Sequence, residues 1–232
     1  MSDYQHLSGQ TYEKLYARYL ERPTRLLVAP DPPVTLDGRT RLLDICSGSG
    51  AVVAGAIRMG LDPTNIIAVE ESLAMAVTTL PGQVRFHTKN LENLLLDNTL
   101  AEYEPFDLIT CRQAVNYWWR LDLVGRLMAL LKTTGCFVFN TFNQKPSTTP
   151  QVRQYSDEDG FRFAEIAYLV DDVVHHVQSR EGLPMHLTRF RWIPPDKFES
   201  DLNYLQAKRS AQGWMRCREG ATDTYVVRAN VS

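Results

Sequence analysis

Arg41-Leu42-Leu43-Asp44-Ile45-Cys46-Ser47-Gly48-Ser49-Gly50 is a short apolar run that meets two glycines and passes at once, from Ala51, into a helical pattern. A strand, a tight glycine turn and a helix N-terminus bring main-chain N–H groups within reach of a ligand. The flanking residues decide which ligand. A dinucleotide loop wants a third glycine three residues after the second, for close packing of helix on strand, and Val53 stands there. A phosphate loop would continue Gly-Lys-Ser/Thr, which is missing.

Asp44 is the most informative residue of the stretch. A carboxylate at the strand end repels a pyrophosphate but suits a ligand with an ammonium, a sulfonium and no phosphate, and S-adenosylmethionine is such a ligand. Ile66-Ile67-Ala68-Val69-Glu70 then ends a second apolar run in a carboxylate, twenty residues after Gly50 (70 minus 50), where an acid can accept both ribose hydroxyls. Glu71 follows it. A third run ends in Thr88-Lys89-Asn90-Leu91, where an amide oxygen is placed to accept from an adenine amino group.

Outward from the loop, apolar runs alternate with helical patterns. The runs are Arg41–Cys46, Ile66–Glu70, Val84–His87, Phe106–Cys111 and Gly135–Thr141; the helical patterns are Ala51–Met59, Ser72–Thr79, Leu91–Asn98 and Leu121–Lys132. Strands buried on both faces with crossover helices predict a doubly wound, mostly parallel α/β sheet over residues 41–143. Residues 1–40 read as a cap helix, with Tyr12, Tyr16 and Tyr19 on one face, and a Pro-rich connector. Residues 144–193 read as an inserted antiparallel meander of three strands, Phe161–Val170, Val173–Ser179 and His186–Ile193. Residues 194–232 read as a helix opened by Pro194-Pro195 and a closing hairpin, Trp214–Arg218 and Thr224–Ala229, turning at Glu219-Gly220. Together they predict one domain.

Composition removes several classes. The 25 Lys and Arg against 27 Asp and Glu give a formal net charge of -2, far from the basic balance of a protein that neutralises many phosphates, so no nucleic-acid partner is expected. No apolar run approaches the roughly 20 residues that span a bilayer, and the N-terminal stretch has no secretory pattern, which predicts a cytoplasmic protein without a membrane partner. Cys46, Cys111, Cys136 and Cys217 are scattered, so neither a metal site nor a disulfide framework is expected.

The ordered set resembles the class I S-adenosylmethionine-dependent methyltransferases, specifically their small-molecule branch, along nearly the whole chain. The resemblance implies a Rossmann-like fold and S-adenosylmethionine as cofactor. Carried over residue by residue, Asp44 to Gly50 is similar to the first motif, including Cys46, Ser47 and Gly48. Glu70, with Glu71 beside it, is similar to the ribose-binding acid, and Asn90 with Leu91 to the adenine contact, although the family often has Asp at that position. Phe106-Asp107-Leu108-Ile109-Thr110-Cys111 is similar to the fourth-strand motif, which places Cys111 near the cofactor.

Methyl transfer from a sulfonium is an in-line displacement, so alignment and exclusion of water can supply most of the acceleration. Ligands of an open α/β sheet lie beyond the carboxyl ends of its strands, which nominates Arg112, Gln113, Asn116, Tyr117, Asn140 and Asn143 for a small-molecule acceptor. Tyr12 and Tyr19 of the cap helix would close over it. The sequence Arg112-Gln113-Ala114-Val115 is unlike the Asn/Asp-Pro-Pro-Tyr motif that grips planar amino groups, and no Pro-Cys nucleophile is present. The expected reaction is therefore transfer to nitrogen or oxygen of a small polar metabolite, with His176 or His186 as base for a hydroxyl. An RNA or protein methyltransferase, a non-catalytic methyltransferase-like subunit and a nicotinamide oxidoreductase are the alternatives. The absence of a basic excess, the presence of Gly48, Gly50 and Glu70, and the pair Asp44 and Val53 weigh against them in that order.

Overall fold

The structure, a computed structural model, describes residues 8, 11–12, 34–76, 81–103, 105–156 and 160–230. Its central element is β1 (Leu42–Ile45), four residues all buried. A strand with no exposed face must be flanked on both sides, and β1 pairs in parallel with β2 (Ile66–Val69) and β4 (Phe106–Arg112). With β3 (Arg85–His87), β5 (Leu131–Phe142), β10 (Ala211–Glu219) and β11 (Thr222–Ala229) it forms a seven-stranded sheet of order β10-β11-β5-β4-β1-β2-β3. β3 to β5 run parallel through β1, and β11 and β10 close that end antiparallel.

Strand alternation sorts the core into two layers. Leu43, Ile45, Ile67 and Val69 pack with α3 (Leu91–Leu96), α5 (Leu121–Ala129) and α6 (Pro195–Ala207) on one face. Leu42, Ile66 and Ala68 pack with Val52, Val53 and Ala56 of α1 (Ala51–Arg58) on the other. The chain leaves β1 for β2 on one side, while β4 lies on its other side, so strand order reverses at the end of β1 and opens a crevice there.

The structure corrects several expected boundaries. The helix read over Leu121–Lys132 ends at Ala129, because Leu131 onward joins β5; the strand begins four residues before Gly135. A Cβ at Gly135 would lie 2.8 Å from the Phe106 carbonyl oxygen, so glycine permits the close approach where the β4–β5 register shifts. Two short helices, α2 (Leu73–Ala76) and α4 (Val115–Trp118), complete the helical set among the described residues longer than a single turn of 3₁₀ helix. Of the cap helix, Thr11 and Tyr12 are helical, and Tyr16 and Tyr19 lie outside the described residues.

The inserted meander has four strands, not three. β6 (Gln151–Ser156), β7 (Arg162–Val170), β8 (Val173–Arg180) and β9 (His186–Arg191) make a separate antiparallel sheet in chain order. β6 gives no apolar alternation because it is an edge strand with almost every residue exposed. Leu169, Val174, Phe190 and Trp192 pack this sheet onto Phe142, the last residue of β5. Among the described residues no helix is long and apolar enough to cross a membrane.

Candidate functional site

The crevice beyond β1 is one wall of a cavity of about 1170 Å³ whose other wall is the four-stranded sheet. Behind the glycine loop that lines it, Asp44 is 1% exposed, and its Oδ1 accepts from the Thr110 hydroxyl at 2.7 Å. Its Oδ2 is buried with no partner. Burial pushes the Asp44 carboxyl up to about 7, against the pull of the Thr110 bond and of the Arg112 guanidinium, with Glu70 adding repulsion. A cation delivered to the loop would supply what this carboxylate lacks.

The loop above Asp44 is conformationally tense. Cys46 adopts φ 53°, Gly48 φ 56° and Gly50 φ 82°, and Gly50 caps α1. At Gly48 the left-handed geometry favours glycine, which also leaves main chain open to the cavity. Glu70 holds this loop: its Oε2 accepts from Gly48 N and its Oε1 from Ser72 N, both at 2.9 Å. Burial raises the Glu70 carboxyl above the usual range, and these two amides oppose that rise. Ser47 donates its main-chain N–H to Val69 O at 2.9 Å and so stitches the loop to β2.

Cys46, Gly48, Glu70, Glu71, Asn90 and Leu91 all line the cavity. Asp44, Ser47 and Gly50 are absent from that lining and shape the loop from behind. Cys111 is a correction: it is wholly buried, and its thiol is hydrogen-bonded to that of Cys46. That bond, followed by burial, holds the Cys46 thiol well above the ordinary thiol range, so the pair is structural. Asn90 is corrected in part. Its Oδ1 accepts from Glu92 N at 2.9 Å and Asn93 N at 3.4 Å as the cap of α3, and its Nδ2 donates to Glu71 Oε2 at 3.3 Å. The oxygen expected to read adenine is thus a helix cap.

Beyond β4 the main chain turns sharply at Gln113, φ 52°, and Gln113 N donates to Asn140 Oδ1 at 2.7 Å. Asn140 therefore positions the loop and does not line the cavity. Asn143 is likewise corrected: its Nδ2 donates to Gly220 O at 3.1 Å and Asp223 Oδ1 at 2.9 Å, which binds it to the β10–β11 hairpin. Arg112, Gln113, Asn116 and Tyr117 do line the cavity. Asn116 is buried, gives its Nδ2 to the Thr141 hydroxyl at 3.0 Å, and keeps an unpartnered Oδ1. Tyr117 stands edge-on to Phe190, with ring centres 5.7 Å apart, and so joins the two walls. Tyr12 also lines the cavity; burial raises its phenol above the usual range, Arg112 opposes that and Glu70 adds to it.

The register of the four-stranded sheet places its inner face in rows. Leu169, Val174 and Phe190 form an apolar row against Phe142. The next row is Gln151, Ala167, His176 and Thr188, and the one after it Arg153, Glu165, Gln178 and His186. A face that merely packed on a core would continue the first row. Instead Glu165 Oε1 accepts from Gln178 Nε2 at 2.8 Å and from the Tyr155 hydroxyl at 3.0 Å, while Gln178 Oε1 is buried without a partner. His176 lines the cavity, edge-on to Phe142; burial lowers its pKa below the usual value and Glu165 opposes that. His186 is a correction: it is 5% exposed and does not line the cavity.

Sequence reasoning missed Trp118, Arg153, Glu165 and Gln178, all of which line the cavity. Strand parity did not single out Glu165 and Gln178, since Ile166 and Val170 of β7 and Val173 and Val177 of β8 lie on the opposite face from them.

No family model matches the sequence, and no curated protein matches it. Solved structures do. The chain is similar to the CcbJ methyltransferase from Streptomyces caelestis, at 18% identity over 90% of this chain and 89% of that one, TM-score 0.61. It is similar to Streptomyces venezuelae DesVI at 13% identity over 95% and 97%, TM-score 0.66. A third similar chain is an S-adenosylmethionine-dependent methyltransferase from Clostridium acetobutylicum, at 18% identity over 97% and 94%, TM-score 0.58. These likenesses show the fold: a Rossmann-like, mostly parallel sheet with flanking helices, here joined to an antiparallel sheet.

Proposed function

We propose that this chain is an S-adenosylmethionine-dependent methyltransferase that acts in the cytoplasm on nitrogen or oxygen of a small polar metabolite, not on nucleic acid. The observation that carries the reading is the buried Asp44 carboxylate, with one oxygen unpartnered, beneath a glycine loop that Glu70 holds open. That arrangement suits a ligand bearing ammonium and sulfonium groups and repels a pyrophosphate. Proteins of the same fold carry the names methyltransferase and S-adenosylmethionine-dependent methyltransferase.

When bound, the cofactor supplies an electrophilic methyl group, whose bond to sulfur breaks as a bond to the acceptor forms, leaving S-adenosylhomocysteine. The protein's part is alignment and dryness. Gly48 main chain, Glu70 and Leu91 would hold the cofactor along the strand ends, and Tyr12 and Tyr117, which also line the cavity, would flank the acceptor. Asn116 Oδ1 can accept an N–H or O–H from the acceptor and so aim its lone pair. His176, neutral at pH 7 because burial lowers its pKa, takes the proton that an N–H or O–H acceptor must lose.

Calorimetric titration with S-adenosylmethionine, S-adenosylhomocysteine and NAD tests the cofactor half, with binding expected from the first two alone. Incubation with methyl-tritiated S-adenosylmethionine and RNA, protein extract or a metabolite pool tests the acceptor half. Label confined to macromolecules would reject the small-molecule reading.

A further inference from the structure

The lining of the cavity is divided by charge. Along the glycine-loop wall and the end of β4 it carries Glu70, Glu71 and Glu92 against Lys89 and Arg112, and Arg112 is itself engaged. Along the connector and the four-stranded sheet it carries Lys145, Arg153, Arg189 and Arg191 against Glu165 and Glu219. In a chain of net charge -2 that basic half is a local excess.

The state of these groups is as uneven as their number. The lining carboxylates are engaged: Glu70 by two amides, Glu71 by Asn90, Glu92 by Arg120 and Glu165 by Tyr155 and Gln178, while Glu219 is not free either. The four cations of the basic half have no carboxylate partner among the described residues. Arg189 and Arg191 alternate with the inward residues of an edge strand, where cations commonly discourage pairing with another chain. Arg153 differs from them. It lies in the inward row directly opposite Glu165, whose Oε1 is taken by Tyr155 and Gln178. A guanidinium in that position presents a fork of N–H donors to the cavity, matched to the paired oxygens of a carboxylate or phosphate.

We infer, resting on the methyltransferase reading above, that the acceptor carries an oxyanion, a carboxylate or a phosphate. The anion docks on Arg153, which lines the cavity from the four-stranded sheet. The cavity is then complementary on both walls, with carboxylates toward the cationic cofactor and free cations toward the anionic tail of the acceptor. Between them, Gln178 and Asn116 read the uncharged part.

The test is to fractionate a metabolite extract by anion exchange before offering it with methyl-tritiated S-adenosylmethionine. Acceptor activity is expected in the retained fraction; activity confined to the flow-through overturns the inference and leaves the methyltransferase reading standing. Phosphatase treatment of the retained fraction separates the sources: activity lost identifies a phosphate ester, activity kept identifies a carboxylate. Arg153→Gln should raise the apparent KM for the retained fraction about tenfold, with kcat and S-adenosylmethionine affinity unchanged, as loss of a bidentate contact predicts. Independently of any turnover, inorganic pyrophosphate and glutarate are titrated at low ionic strength into protein saturated with S-adenosylhomocysteine. At least one should bind to wild type and lose affinity in Arg153→Gln; no binding of either up to about 10 mM overturns the inference. Failure of S-adenosylhomocysteine itself to bind would instead sink the parent reading.

Discussion

The wall made by the strand ends of the seven-stranded sheet is built on tight turns and a glycine loop, whereas the wall made by the four-stranded sheet offers side chains on alternate residues. On the first wall, left-handed turns at Cys46, Gly48 and Gln113 expose the backbone, and the acids Asp44 and Glu70 hold or underlie it. On the second, Gln151, His176 and Thr188, then Arg153, Glu165 and Gln178, stand in rows fixed by cross-strand register. A wall built on turns recognises what every ligand of one type shares. A wall of side chains can be rewritten one residue at a time, so on the methyltransferase reading proposed above it is where an acceptor would be chosen.

This division predicts that damage to one wall leaves the other's ligand bound, and the largest effect should come from the second. His176→Ala should lower kcat about 100-fold, the scale of general-base catalysis, while S-adenosylmethionine affinity stays unchanged. The base acts when neutral, so the wild-type rate should fall as pH drops through a value below the usual 6.5, in the direction that burial shifts this imidazole. A kcat in His176→Ala equal to that of wild type would show that alignment alone carries the reaction and that the second wall only binds.

Glu70→Ala comes next, and it strikes the first wall. The two main-chain donors at Gly48 and Ser72 lose a carboxylate acceptor, each bond being worth about 1.5 to 3 kcal/mol. S-adenosylmethionine affinity should fall roughly 30-fold, because part of that loss is relieved when the loop relaxes into water. Acceptor KM, measured at saturating cofactor, should move little. Calorimetry that finds cofactor affinity intact would contradict the loop's assignment.

Asp44→Asn is a smaller and pH-dependent change. With its carboxyl raised to about 7, Asp44 is largely protonated in the free protein at pH 6, and a cationic ligand favours its ionised form. Cofactor affinity should therefore rise between about pH 6 and pH 7.5 in wild type, be flat over that window in Asp44→Asn, and differ about tenfold at the upper end. Stability has the opposite sign. A carboxyl whose pKa is raised on folding favours the folded state at low pH, and that contribution is lost as pH rises through about 7. Without ligand, the Asn variant should thus melt above wild type at pH 8 and closer to it at pH 5.

Legibility in the sequence followed the same division. The five parallel strands, the glycine loop, Asp44 and Glu70 were readable because a buried strand, a glycine at positive φ and an acid at a strand end each leave a local mark. Glu165 and Gln178 left none: a polar residue at an inward position looks like a solvated one until register shows which face is covered. β6 was invisible for a related reason, since an exposed edge strand carries no alternation. Asn140 and Asn143 failed differently. Their sequence positions at the end of β5 were right for ligand contact, but the tight turn at Gln113 and the β10–β11 hairpin needed acceptors and donors of their own.

Asn90 gives the smallest expected effect and tests how far side chains of the first wall merely scaffold it. Its oxygen caps α3 through Glu92 N and Asn93 N, a role that an aspartate fills equally well, and a carboxylate at a helix N-terminus gains from the dipole. Asn90→Asp loses the Nδ2 contact to Glu71 and puts two carboxylates side by side on the surface of the cavity, a modest repulsion in water. Cofactor affinity should therefore change less than about threefold in Asn90→Asp. Asn90→Ala should cost about 1 kcal/mol of stability from the lost cap. If the amide itself reads adenine, Asp and Ala would instead weaken S-adenosylmethionine alike, by tenfold or more, while methylthioribose, which lacks the base, would bind all three proteins equally. Comparing the variants' melting temperatures with their cofactor affinities separates the two: a capping residue moves the first and spares the second in Asp, whereas a reading residue moves the second in both.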